Sequence, residues 1–304
     1  MVRAAYIPSE LMYSNLNILF SSHKGTEKSF KLDPRFPDLL YNSGFASTMR
    51  FLQSFLADYS KRGLSKSSDR AVAISGLAAR IQKALGRETR YGIFGFFLHR
   101  TLLWQRSGLQ KMKRIEYGDS KVPSIFAFFL HRNPLWLRSG LQKMKRIKYG
   151  DSKVPSWSWM AYEGGIQFTE VPYGDLDLDL FDDLRFAPPQ DKTALITKVW
   201  KFQGCHLGEA LSETTRHQIL DSRGTERGWI LYDVEDGEDL RGERGVVVAR
   251  RRRIDIWSSD SQQLDRWGYY ILVVRQIAGE YKRVGIGRVH CGYVSRQEPD
   301  VRIL

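Results

Sequence analysis

The chain has 304 residues, 42% of them hydrophobic and 12% aromatic, with a formal net charge of +13. That is enough apolar material to bury a core, which excludes a disordered chain, and no stretch approaches the roughly 18 uninterrupted apolar residues of a membrane span. Polar Ser9, Glu10, Ser14, Asn15 and Asn17 interrupt the segment where a signal peptide needs a continuous apolar core, and Cys205 and Cys291 make no disulfide framework, so the expected setting is a reducing, cytoplasmic one.

Residues 1–44 read as loop-rich, punctuated by Pro8, Pro34 and Pro37. From Phe45 a helical stripe begins: Phe45, Met49, Leu52, Leu56 and Tyr59 recur at spacings of three and four, and Gly63 closes it. Ser68 or Asp69 caps a second helix whose apolar face is Ile74, Leu77, Ala78, Ile81 and Leu85, ending at Gly86. The two helices are expected to pack together.

Next comes a tandem duplication. Ile93–Ser124 is repeated as Ile125–Ser156, and only five of the 32 positions differ: Gly95 becomes Ala127, Thr101 Asn133, Leu102 Pro134, Gln105 Leu137 and Glu116 Lys148. A solenoid stacks three or more divergent repeats, so two near-identical copies indicate a recent duplication. The copies together supply +10 of the net +13, so most of the basicity follows from copying one basic segment. A basic nucleic-acid-binding protein is therefore the lesser reading, and a solvated basic face the better one.

After Ser156 short β-prone runs appear between Gly, Asp and Pro: 166–171, 193–202, 228–234, 245–249, 269–276 and 281–289. Tyr269–Val274 and Tyr281–Val289, joined across Ala278-Gly279-Glu280, read as a hairpin. The expected class is α+β: an α-rich region over 1–156 containing the duplication, then a mainly antiparallel β-rich region over 157–304.

Most chemical motifs fail on context. Asp175, Asp177 and Asp179 start like a calcium loop, but the positions needing Gly and Glu hold Leu180 and Phe186. Cys205-His206 and His290-Cys291 lack zinc-site spacing, and adjacent strand residues point to opposite faces. Gly285-Ile286-Gly287 lacks the third glycine of a dinucleotide fingerprint, since His290 stands there and no helix follows. The carboxylate pairs Asp182 and Asp183, and Glu209 and Glu213, read as solvated faces. Arg250–Arg253 reads as an exposed loop, with nuclear import as its alternative. Neither cofactor nor metal is expected. In Ser156-Trp157-Ser158-Trp159 two tryptophans project on one face of an extended segment and the serines on the other. A core anchor between the two regions is expected there, rather than a ligand-stacking platform.

The segment VPSWSWMAYEGGIQF resembles the signature downstream of the heterokaryon-incompatibility (HET) domain in filamentous-fungal proteins. LDPRFPDLL (Leu32–Leu40), the run ending DYSKRG at Gly63, DRAVAISGLAARI (Asp69–Ile81), YGIF (Tyr91–Phe94), HRTLLWQRS (His99–Ser107) and the YYILVV and RVGIGRV hairpin match in the same order. The HET domain itself, which resembles Toll/interleukin-receptor domains, is not among the matching segments, and the family has one copy of the duplicated unit. The resemblance therefore implies the region C-terminal to that domain, in a truncated member. It would be a non-catalytic accessory region with a binding or regulatory role in non-self recognition, vegetative incompatibility and the associated cell death, with a protein partner. The motif residues implied are Asp69, Arg70, Gly76, Leu103, Trp104, Arg106, Pro155, Ser156, Trp157, Ser158, Trp159, Gly285 and Gly287, all read as structural. The alternatives are an enzyme hydrolysing NAD or another nucleotide, by analogy with Toll/interleukin-receptor-like domains, a nucleic-acid binder, and a non-functional gene remnant.

Overall fold

The computed structural model describes residues 44–62, 69–108, 113–114, 154–171, 176–177, 183–211, 215–251, 268–297 and 300–304. The loop-rich reading of 1–43, the Leu32–Leu40 motif, the Gly63 and Ser68 boundaries, most of the aspartate run, Arg252 and Arg253, and the second repeat copy up to Lys153 lie outside these residues.

The helical stripes fold as read. Helix α1 spans Phe45–Ser60 and buries Met49, Leu52, Leu56 and Tyr59. Helix α2 spans Asp69–Leu85 and buries Ile74 and Ile81. Gly86 follows it at φ +65°, and its N–H bonds Gln82 O at 2.9 Å, which caps the helix end. Two hydrogen bonds tie the helices together: Tyr59 donates to Arg70 O at 3.0 Å, and Arg70 donates to Ser60 O at 3.1 Å.

The first repeat copy departs from the expectation. It opens as strand β2 (Ile93–Phe94), paired back on β1 (Thr89–Arg90), passes through the one-turn helix α3 (Leu98–Thr101), and becomes β3 (Trp104–Arg106) and β4 (Lys113–Arg114). The strands after the duplication, β5 (Tyr162–Glu163) and β6 (Ile166–Phe168), pair with β4 and β3. The α+β expectation, with a helical half to Ser156, is thereby overturned: among the described residues 42% are strand against 25% helix. Strands of two or three residues show no local period of two, and the partners of β3 and β4 lie 48 to 64 positions away, so the helical stripes dominate the sequence pattern.

The remaining strands are β7 (Leu176–Asp177), β8 (Arg185–Phe186), β9 (Leu195–Thr197), β10 (Trp200–Phe202), β11 (Cys205–Ala210), β12 (His217–Asp221), β13 (Glu226–Tyr232), β14 (Glu243–Arg251), β15 (Gly268–Ile277), β16 (Glu280–His290), β17 (Val294–Arg296) and β18 (Val301–Ile303). They form one sheet whose main path is β11-β12-β13-β16-β15-β14-β10-β17, antiparallel apart from the β16–β18 pair. Strands β10 and β11 lie toward opposite ends of that path, yet only Gln203 and Gly204 join them. The sheet must therefore curl until its ends approach, like an incompletely closed barrel. The β15–β16 turn places Ala278 and Gly279 at φ +53° and +83°, the positive pair that a tight hairpin of this hand requires.

Both faces of the central strands are buried. Ile230, Tyr232, Val247, Ile271, Val273 and Val289 fill one side. Leu231, Val246, Val248, Leu272, Val274 and Ile286 on the other belong to a cluster shared with α1, α2, Trp104, Trp157 and Trp159. This is why GVVVA and YYILVV are unbroken apolar runs rather than alternating ones.

Candidate functional site

The motif residues converge on one buried knot. Trp104, Trp157 and Trp159 are all fully buried, and each indole N–H donates to a backbone carbonyl: Trp104 to Trp157 O at 3.0 Å, Trp157 to Thr193 O at 3.0 Å and Trp159 to Gly92 O at 3.3 Å. A Cβ on Gly92 would stand 2.7 Å from Trp159 Nε1, and its φ is +73°, so only glycine lets this indole approach. The serines are buried as well, not turned outward. Ser158 begins a single 3₁₀ turn over Trp159–Ala161 instead of continuing an extended strand. Its hydroxyl accepts from Met160 N at 3.0 Å and donates to Tyr91 O at 2.7 Å. Ser156 Oγ accepts from Arg283 N at 2.8 Å and donates to Leu304 O.

Arg283 joins the knot to the sheet. Its guanidinium lies 3.3 Å from the Trp104 ring centroid and donates to Asp233 (2.8 and 3.3 Å), Leu102 O (2.9 Å) and Trp104 O (2.6 Å). Burial pushes the Asp233 carboxyl up, and Arg283 pulls it back down. Arg70 binds Tyr162 O at 2.8 Å and lies over Trp159, which fixes α2 against the same knot. Arg106 bonds Thr215; burial lowers its pKa while Asp236 and Asp233 raise it. Leu103 and Pro155 are buried beside these groups. Gly285 and Gly287 allow close strand approach, since a Cβ on either would stand 2.5 Å from a β13 carbonyl. Asp69 starts α2, and Gly76 lies exposed on it, away from the knot.

A second buried polar group sits beyond Asp233. Glu243 Oε1 accepts from Arg275 at 2.6 and 3.0 Å, and its carboxyl is pushed up by burial against the pull of Arg275. Burial likewise raises Tyr232 beside it. His217 stands 3.4 Å from Asp236 and presents its ring edge to Tyr232.

The Cys-His pairs do not assemble a metal site. Cys205 Sγ approaches Tyr293 O, and burial raises its pKa, which disfavours thiolate. His290 Nδ1 accepts from Gly292 N. Among the described residues no group of three or more His, Cys, Asp and Glu is placed to hold a metal ion, and no helix is long and apolar enough to cross a membrane.

An open cleft of about 180 Å³ is also present among the described residues. It is lined by Asp183, Leu184, Thr197, Lys198, Trp200, Val247, Arg250, Tyr269 and Arg296. Strand pairing sets Trp200 opposite Arg296 and Tyr269 opposite Arg250. The two rings stand 5.4 Å apart at 56°. Asp183 is bridged to Arg296 at the rim. The only local signal was the Arg250 run, because the other lining residues come from distant strands. No family model, curated protein or solved structure matches this chain.

Proposed function

We propose that the chain is a non-catalytic binding module. It would be the accessory region of a fungal HET-family protein, with a regulatory role in non-self recognition and the associated cell death, acting in the cytoplasm through a protein partner. The observation that carries this reading is a division of labour. The motif residues Arg70, Trp104, Ser156, Trp157, Ser158 and Trp159 are spent on buried ties to backbone, whereas the open cleft is lined by charged and aromatic side chains. Cations beside rings recognise ligands. A general acid or base needs a titrating group within reach of a substrate proton, and the carboxylate of this cleft is held by Arg296.

Two assays test the reading. Purified chain incubated with NAD is expected to release no nicotinamide above a heat-killed control; turnover that maps to a single carboxylate overturns it. Expression in a filamentous-fungal host is expected to change the cell-death response on fusion of incompatible strains, and an unchanged response counts against the assigned role.

A further inference from the structure

We draw no further inference here: the strongest candidate, the row of Trp229, Arg288 and Tyr270 set side by side across β13, β16 and β15, carries nothing because nothing in the structure shows what covers that sheet face.

Discussion

Deleting one repeat copy at a time tests which copy the fold can use. The described residues Ile93–Gly108 belong to the first copy, and four of the five substitutions fall among them. Removing Ile93–Ser124 would seat the second copy there. Ala127 would replace Gly95, where a Cβ stands 2.7 Å from Glu88 O, an overpacking cost of about 1–3 kcal/mol. Asn133 would replace Thr101, whose buried hydroxyl bonds Phe97 O at 2.9 Å, at about 1 kcal/mol. Pro134 would replace Leu102, whose N–H bonds Leu98 O at 3.0 Å at the end of α3, at about 3 kcal/mol. Leu137 in place of Gln105 costs little, because Gln105 Oε1 is buried without a hydrogen-bond partner. The total is about 5 kcal/mol or more, against the roughly 5–15 kcal/mol that holds a typical protein folded. Removing Ile125–Ser156 instead leaves every one of these residues in place and restores Val-Pro-Ser before Trp157. Shortening the connection adds at most about 1 kcal/mol through loop closure. Thermal unfolding of both deletions is the assay. Loss of Ile93–Ser124 should lower the midpoint by about 10–20 °C or abolish folding, at about 2–4 °C per kcal/mol. Loss of Ile125–Ser156 should leave the midpoint unchanged or higher. Equal midpoints for the two deletions, or collapse of both, would refute the reasoning.

Arg283→Lys should destabilise the chain by about 3–5 kcal/mol in urea denaturation, because an ammonium cannot reach Asp233 and two carbonyls together and leaves buried acceptors unpaired; a wild-type midpoint would remove the knot from the account. Asp221 predicts an acid limb. Backbone N–H donation from Thr225 and Arg223, together with the Arg227 guanidinium, whose Nε donates to Oδ2 at 3.0 Å, lowers its carboxyl from the usual 3.8 to about 2. A depressed folded value means stability that is present above the unfolded pKa and lost as pH falls toward 2. Asp221→Asn should therefore be less stable than wild type at pH 7 and converge with it by about pH 2, and a gap constant across urea titrations from pH 2 to 7 would contradict this.

Much of the fold was legible where local pattern and tertiary role coincide. The α1 stripe buries Met49, Leu52, Leu56 and Tyr59 and the α2 stripe buries Ile74 and Ile81, with Phe45, Leu77, Ala78 and Leu85 half-buried, and the β15–β16 hairpin forms across Ala278-Gly279. Other features were hidden for physical reasons. Arg283 lies inside a strand run that reads as ordinary, and its carboxylate partner is 50 positions upstream, so only the folded pairing of β13 with β16 reveals a buried ion pair. Trp104–Arg106 forms a strand only because Ile166–Phe168 lies beside it. Alternation in the SWSW segment assigns its tryptophans to the core and its serines to the opposite face. Their hydroxyls instead satisfy backbone groups inside, which a period of two cannot show. The cleft was invisible for the same reason as Arg283, since its charges and rings meet only across strands.

The tryptophan motif holds the fold, and the proposed recognition role falls to other surfaces of the chain. Chemical denaturation of Trp157→Ala beside Ser158→Ala tests it most directly. Fully buried and bonded to Thr193 O, Trp157 should cost about 3–5 kcal/mol on truncation, and Ser158, whose loss leaves Tyr91 O and Met160 N unpaired, about 1–3 kcal/mol. Wild-type midpoints for both variants would contradict the account and return the motif to the surface as a binding platform.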